Sequence, residues 1–141
     1  MKEYRVMICG SRTFDDYDKL KSEVLLALTK RDIVVKRFGI IIISGEANGA
    51  DKLGEKFALE NGYKVEKYPA LWNDLTKKPC KIKINKYGKQ YNCLAGLNRN
   101  KDMVEVSDLV IMFHDGKSKG TLDDLNLCKK YNKDYEYILF D

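Results

Sequence analysis

A run of apolar residues at positions 38–43 constrains the fold more than any other feature of the chain. It reads Phe-Gly-Ile-Ile-Ile-Ile and contains no polar side chain. A strand with one face in water alternates apolar and polar residues, whereas a continuous β-branched run is typical of a strand covered on both faces. Such a strand lies inside a parallel sheet, between two layers of helices. The run therefore predicts an α/β fold with three layers.

Strand patterns and helix patterns alternate along the rest of the chain. Further strands are predicted at residues 4–9, 64–68, 109–113 and 135–140, and helices at residues 16–31, 49–61, 98–106 and 121–131. Strands that alternate with helices form βαβ units with right-handed crossovers. We therefore expect a mainly parallel sheet of about five strands.

The alternation is interrupted by a lysine-rich segment that contains Pro79 and Gly88. We expect one domain over residues 1–141, in which residues 73–94 form an inserted excursion with a short hairpin. Its lysines are Lys77, Lys78, Lys81, Lys83, Lys86 and Lys89. Most charge runs are solvated surfaces. The segment also has the composition of a lid, of a contact with a second subunit, or of a single-stranded nucleic-acid groove that uses Tyr87 and Tyr91.

Composition excludes several classes of protein. A chain with 44% hydrophobic residues can bury a core, which disordered chains cannot do. No apolar run approaches the roughly 20 residues of a membrane-spanning helix, and the first residues lack the apolar stretch of a secretion signal. We therefore expect a cytoplasmic protein with no membrane partner. The four cysteines have no metal-ligand spacing, so we expect reduced thiols, no bound metal and no cofactor.

The loop after the first predicted strand reads Gly10-Ser11-Arg12. Ligands of open parallel sheets bind beyond the carboxyl ends of the strands, where this loop lies. Gly10 permits a tight turn, and Arg12 can pair with a phosphate through two hydrogen bonds. The alternative is a simple turn with a solvated arginine.

The loop after the second predicted strand runs from Ser44 and Gly45 to Asp51 at the start of a helix. Small residues there let backbone N–H groups approach an anion at the positive end of the helix. Ser44 and Asp51 can position a ribose. The alternative is a tight turn in which Asp51 only stabilises the first helical turn.

The loop after the strand at 109–113 combines glycine, serine and lysine before another helix. Its candidate ligand-binding residues are Gly116, Ser118, Gly120 and Thr121, and Lys117 and Lys119 supply positive charge. It is not a Walker loop, because the Gly-Lys-Thr order is absent. Asp123 and Asp124 are expected in the first helical turn. Three phosphate-suited loops on one sheet edge favour a nucleotide-type ligand. The net charge of +5 favours anionic partners in general, whether a nucleotide, a nucleic acid or an acidic partner.

Five segments occur in the order found in a known family: residues 10–14, 44–51, 69–72, 95–103 and 115–121. Together they resemble the SLOG superfamily of Rossmann-like nucleotide-binding proteins, and most closely its small YspA-like, cpYpsA-related branch from phages and bacteria. The resemblance implies a Rossmann-like domain that binds a nucleotide or nucleotide-derived ligand as a sensor, carrier or sponge. It adds Trp72, Arg99 and Asn100 to the ligand-binding residues above. We also expect a homo-oligomer.

The same superfamily contains LOG-type phosphoribohydrolases, which cleave the N-glycosidic bond of nucleoside monophosphates. Arg99 falls on the first element of their signature, and Asp124 replaces their catalytic glutamate. The resemblance therefore implies an alternative in which Arg99 and Asp124 are catalytic. A second alternative is a single-stranded nucleic-acid-binding module, because related SLOG domains occur in DNA-processing proteins. Trp72 can stack on a base, although a lone tryptophan is more often a core or interface anchor.

Overall fold

A computed structural model describes residues 2–33 and 36–141 of the chain. Its elements are β1 (Glu3–Gly10), α1 (Tyr17–Lys30), β2 (Gly39–Ser44), α2 (Ala50–Asn61), β3 (Lys64–Lys67), β4 (Ile82–Ile84), β5 (Gln90–Asn92), α3 (Ala95–Val106), β6 (Leu109–His114), α4 (Lys119–Lys130) and β7 (Asp134–Leu139). None of the helices in the described ranges is long and apolar enough to cross a bilayer.

Five parallel strands form the main sheet, in the order β3-β2-β1-β6-β7. The predicted α/β class and mainly parallel sheet are therefore confirmed. The apolar run at 38–43 supplies β2, which lies between β3 and β1. From β1 the chain first builds one half of the sheet through β2 and β3, and later builds the other half through β6 and β7. The strand order thus switches between β1 and β6, where open α/β sheets bind ligands.

Alternating residues of β1 explain why both faces of the sheet are apolar. Val6 and Ile8 pack in a core cluster with side chains from α1 and α2. Met7 and Cys9 pack in a second cluster with side chains from α3 and α4. All four are buried. The sheet is therefore covered on both faces, as a continuous apolar strand predicts.

The lysine-rich excursion contains the predicted hairpin, in which β4 and β5 pair antiparallel. Two contacts fasten the excursion to α3. The side-chain amide of Asn98 donates to the carbonyl of Pro79 at 2.9 Å, and Lys77 forms an ion pair with Asp102. The excursion is therefore held against α3.

Two predicted helix starts are wrong. The N–H of Asn98 donates to the carbonyl of Leu94, so α3 begins at Ala95 and Arg99 lies in its second turn. The N–H of Leu122 donates to the carbonyl of Ser118, so α4 begins at Lys119. The first turn of each helix contains a glycine, which has low helix propensity and hides the start of the pattern. As a result Asn100 lies in the second turn of α3, and Asp123 and Asp124 lie in the second turn of α4 and not in its first turn as predicted.

Gly54 sets the distance between α2 and β1. A Cβ at this position would lie 2.8 Å from the Cβ of Ile8, closer than real atoms approach. We expect Gly54→Ala to lower the free energy of unfolding by about 1–3 kcal/mol, because overpacking a core has that typical cost. Urea titration measures the change.

Gly120→Ala is the matched control, because this helical glycine has open space around its α-carbon. Helix propensity alone makes alanine more favourable than glycine there, by about 0.5–1 kcal/mol. A Gly54→Ala variant as stable as Gly120→Ala would contradict the close approach of α2 to β1.

Candidate functional site

A cleft of about 320 Å³ lies at the carboxyl ends of β1 and β6. It is lined by Cys9, Gly10, Ser11, Arg12, Thr13, Ala47, Asp51, Arg99, Asn100, Met103, Asp115, Ser118, Gly120, Thr121 and Asp124. This position is the switch point of the sheet, and the volume falls at the lower end of the roughly 300–1,000 Å³ of small-molecule sites. The cleft is therefore the candidate ligand site.

Ser11 joins the loops that follow β1 and β6. Its N–H donates to the carbonyl of Phe113 at 2.8 Å, and its hydroxyl accepts from the N–H of Asp115 at 3.1 Å. Gly10 permits this approach, because a Cβ there would overlap the Phe113 carbonyl oxygen. The two loops thus form one continuous wall of the cleft.

The N-terminus of α4 forms a second wall with unsatisfied donors. The N–H groups of Lys119, Gly120 and Thr121 precede the first intrahelical donor, and among the described residues they have no acceptor. Such groups, with the positive end of the helix dipole, form an anion site. Ser118, the residue before the helix, has a hydroxyl that accepts from Thr121 at 3.4 Å.

The loop before α4 is held in place from both sides. The carboxylate of Asp115 accepts from the N–H groups of Lys117 and Ser118, both at 2.8 Å, and these bonds lower the pKa of Asp115. The His114 ring lies between the Tyr137 hydroxyl at 2.6 Å and the Ser118 carbonyl at 3.0 Å. His114 therefore supports the start of the helix from beneath.

Arg99 enters the cleft from α3 with its guanidinium fixed by neutral acceptors. Nη1 donates to the carbonyls of Gly45 at 2.6 Å and Tyr68 at 3.4 Å, and Nε donates to the side chain of Asn100 at 3.1 Å. No carboxylate oxygen in the described chain lies within 4 Å of it. Because its positive charge has no ion-pair partner among the described residues, Arg99 is available to an anionic ligand.

Asp51 is a buried carboxylate at the start of α2, with 5% of its surface exposed. Burial raises its pKa to about 6, although the backbone N–H of Ala47 and the charge of Arg99 act in the opposite direction. Gly45 leaves room for this arrangement, because a Cβ there would lie 2.8 Å from Asp51 Oδ2 and 2.9 Å from Arg99 Nη1.

Asp124 is a second buried carboxyl group, also 5% exposed. Its Oδ1 has no hydrogen-bond partner among the described residues. Burial raises the pKa of Asp124 well above its ordinary value, and the nearby Asp51 carboxylate raises it further, while the Cys9 thiol and Arg99 lower it. By contrast, Asp123 accepts from the side chain of Asn100 at 3.2 Å. Asp124 is therefore the acid left free for a ligand.

The structure brings most of the predicted site residues together. Gly10, Ser11, Arg12, Asp51, Arg99, Asn100, Ser118, Gly120, Thr121 and Asp124 line the cleft. Four others lie outside its lining, namely Ser44, Gly45, Gly116 and Trp72.

Each of these four has other neighbours. The Ser44 hydroxyl donates to Glu55 at 2.6 Å, and Gly45 lies behind Arg99. Gly116 has a side-chain atom of Leu139 beside its α-carbon. Trp72 lies against Gly96 and Tyr91. Their expected roles in binding stay predictions.

Five residues of the cleft are absent from the predicted set. They are Cys9, Thr13, Ala47, Met103 and Asp115. The sequence contained a signal for Met103 and for Asp115. Met103 lies one helical turn after Arg99. Asp115 lies two residues before Lys117, the spacing at which an aspartate side chain accepts from a backbone N–H in a turn. The exposure of Cys9 to the cleft depends on packing alone.

A smaller pocket of about 220 Å³ adjoins the cleft on another side of Arg99. Tyr68, Pro69, Leu71 and Ala95 give it an apolar wall, and Asn92 and Asn98 add side-chain amides. Its lining includes Lys77 of the excursion, which pairs with Asp102. The excursion thus borders the site through this pocket.

The fold and the position of the cleft define a Rossmann-like α/β protein. The chain belongs to the YspA, cpYpsA-related SLOG family, whose model matches residues 4–74. That match includes the loops after β1 and β2 and ends before Arg99 and the start of α4. No curated protein matches the chain in sequence.

Solved structures confirm the Rossmann-like fold. DNA processing protein A from Streptococcus pneumoniae is 21% identical over 99% of this chain and 51% of its own, with a TM-score of 0.66. The protein of the same name from Helicobacter pylori is 22% identical over 99% of this chain and 67% of its own, with a TM-score of 0.64. TM1055 is 17% identical over 96% and 72%, with a TM-score of 0.53. The chain spans about half the length of the Streptococcus protein.

Replacing Asp124 with asparagine keeps the shape of the side chain and removes the charge that burial disfavours. Since the pKa of Asp124 is raised in the folded state, the folded protein binds more protons than the unfolded chain, and stability falls as pH rises through the folded-state pKa. We expect Asp124→Asn to increase the free energy of unfolding at pH 8 by at least about 1 kcal/mol, because the amide carries no charge and each unit by which folding raises the pKa of Asp124 costs about 1.4 kcal/mol at that pH. The gain should shrink at pH 5.

Asp123→Asn is the control for this measurement, because Asp123 already has a hydrogen-bond partner. We expect no comparable gain for it at either pH. Equal effects of Asp124→Asn at pH 5 and pH 8, or a loss of stability at pH 8, would contradict the raised pKa of this carboxyl group.

Proposed function

We propose that the cleft binds a nucleotide or nucleotide-derived ligand, with a phosphate at the N-terminus of α4. The observation that carries the proposal is the presence, in one cleft, of two anion-binding groups that have no anionic partner among the described residues. These are the N–H groups at the start of α4, where Gly120 and Thr121 line the cleft and have no acceptor among the described residues, and the guanidinium of Arg99. A phosphate is the anion that helix N-termini and arginine both bind well.

The two buried carboxyl groups support a sugar beside that phosphate. Asp51 and Asp124 line the same cleft, and carboxylate oxygens accept hydrogen bonds from ribose hydroxyls. The adjoining pocket with Tyr68, Pro69 and Leu71 offers an apolar wall to a base. The ligand class is therefore one with phosphate, polyol and aromatic parts, and the protein holds it as a sensor, carrier or sponge.

Asp124 favours hydrolysis as a second candidate function. In the cleavage of a nucleoside monophosphate, water adds to the ribose carbon C1′, the N-glycosidic bond breaks, and the base leaves with a proton. A buried carboxyl group with a raised pKa stays protonated to a higher pH than an ordinary aspartate, so it can donate its proton to the leaving base and then take up the proton that the attacking water loses. Arg99 and the α4 N–H groups would hold the phosphate. Asp123 is less suited, because Asn100 already bonds to it.

A nucleic-acid partner is a third candidate, and it is supported by a different observation. DNA processing protein A from Helicobacter pylori, which shares the fold, has a single-stranded DNA binding mode. In the present chain the feature that favours such a partner is the lysine-rich hairpin, not the cleft. Homo-oligomerisation stays a prediction.

Loss of the Arg99 guanidinium tests the nucleotide proposal. We expect Arg99→Ala to weaken binding at least about 10-fold, because a charge-assisted hydrogen bond to phosphate typically contributes more than 1.4 kcal/mol. Calorimetric titration with a panel of nucleoside mono- and diphosphates, cyclic dinucleotides and ADP-ribose measures the loss.

Lys101→Ala is the matched control for Arg99→Ala, because this lysine lies on the same helix, pairs with Glu105 and is not among the residues that line the cleft. It should bind as the unaltered protein does. Gly45→Ala should also weaken binding, since the added Cβ displaces Arg99 and Asp51. If no member of the panel binds the unaltered protein, the nucleotide proposal is wrong.

Release of free base from nucleoside monophosphates tests the hydrolase candidate. We expect Asp124→Asn to reduce any such activity at least about 100-fold, the lower limit for a group that transfers a proton in the transition state. Chromatography of the reaction mixture measures the base. Unchanged activity in Asp124→Asn would remove this residue from the mechanism, and binding without base release would leave the sensor, carrier or sponge role.

A further inference from the structure

The excursion is the most strongly basic part of the chain. Residues 75–101 contain no aspartate or glutamate, and six lysines fall between positions 77 and 89. One of them, Lys77, is paired with Asp102, whereas Lys83 and Lys89 have no ion pair among the described residues. A surface of this charge is complementary to a polyanion.

Strand pairing places lysine and aromatic residues on one face of the hairpin. Lys83 of β4 lies opposite Tyr91 of β5, and residues opposite each other share a face of the sheet. Towards the turn of the hairpin, the N–H of Asn85 donates to the carbonyl of Lys89 at 2.9 Å. Because side chains alternate along a strand, Asn85 and Lys89 continue the same face.

Trp72 extends this face into an open groove of about 370 Å³. The groove is lined by Trp72, Asn73, Asn85 and Tyr91. The rings of Trp72 and Tyr91 lie edge to face with their centroids 6.4 Å apart, and 47% of the Trp72 surface is exposed. An exposed tryptophan and a half-buried tyrosine, with amide side chains between flanking lysines, match the composition of a stacking platform for bases.

Hydrogen bonds hold this face in shape. The side chain of Asn85 accepts from the N–H groups of Tyr87 at 2.9 Å and Lys89 at 3.0 Å, which fixes the turn. The N–H of Asn92 donates to the carbonyl of Trp72 at 2.7 Å, which fixes the tryptophan beside β5. A preorganised surface of this kind loses less conformational entropy when it binds a ligand.

We propose that the hairpin face, defined as Trp72, Asn73, Lys83, Asn85, Lys89 and Tyr91, binds single-stranded nucleic acid. The aromatic rings stack on unpaired bases, the asparagine amides hydrogen-bond to base edges, and the lysines contact the phosphates. A duplex is a poorer fit, because its bases are already stacked on each other. The proposal is independent of the nucleotide cleft, since none of these six residues lines it.

Intrinsic fluorescence tests the proposal directly, because Trp72 is the single tryptophan of the chain. The full chain is titrated with dT12, rU12, a 12-base-pair duplex and polyglutamate, and binding is followed by tryptophan quenching and by anisotropy of a labelled strand. We expect both single strands to quench Trp72 and to bind more tightly than the duplex. Comparison of dT12 with rU12 shows whether DNA or RNA is preferred.

Two variants divide stacking from charge. Trp72→Ala should lower single-strand affinity at least about 5-fold, the lower limit for loss of one stacked base. Lys83→Gln with Lys89→Gln should reduce the slope of log affinity against log salt by about 1.4, since each neutralised phosphate contributes about 0.7. Lys21→Gln with Lys129→Gln, on the exposed faces of α1 and α4, is the matched control and should leave the slope unchanged.

The outcomes are distinct from those of the nucleotide proposal. The Lys83→Gln and Lys89→Gln double variant should retain nucleotide binding in the cleft, and it remains informative if Trp72→Ala does not fold. Absent single-strand binding, equal binding of polyglutamate, or an unchanged salt slope in this double variant would overturn the proposal. Single-strand binding that is lost in Arg99→Ala and kept in the double variant would also overturn it, because the cleft would then be the nucleic-acid site.

Discussion

The junction of β1 and β6 at their carboxyl ends is the constraint on which the rest of the structure depends. Ser11 joins the two strands through the Phe113 carbonyl and the Asp115 N–H, and Gly10 makes the approach possible. This junction holds the loops after β1 and β6 together, and these loops line the cleft at the point where the strand order switches. It also aligns the start of α4 with Arg99, which comes from a different helix. The anion-binding groups therefore converge because of sheet topology and not because they are neighbours in the chain.

The same cleft contains groups that oppose folding. The side chains of Asp51 and Asp124 are removed from water, and Asp124 has an oxygen with no partner among the described residues. Burial raises the pKa of both carboxyl groups, which shows that their charged forms are disfavoured in the folded protein. Groups of this kind are frequent at functional sites, where a ligand supplies the missing interactions. The cost in stability is thus consistent with a binding role.

The sheet could be predicted from sequence because strands covered on both faces leave a continuous apolar pattern. The site residues that follow β1, β2 and β6 could also be predicted, because parallel strands bring their carboxyl ends to one edge of the sheet. The starts of α3 and α4 could not be predicted, because Gly96 and Gly120 interrupt the helical pattern. The unpartnered state of Asp124 and the position of Trp72 depend on tertiary packing, which no local pattern encodes. The hairpin was predicted from composition, but its lysine and aromatic face required the strand register.

The central claim is that the N–H groups at the start of α4 bind the anionic part of a ligand beside Arg99. Amide chemical shifts measured during titration with nucleoside monophosphates test it most directly. The account predicts saturable shifts that are largest at Lys119, Gly120 and Thr121 and that need at least about 10-fold more ligand in Arg99→Ala. Shifts confined to the hairpin residues, or no shift at these three amides at saturation, would contradict it.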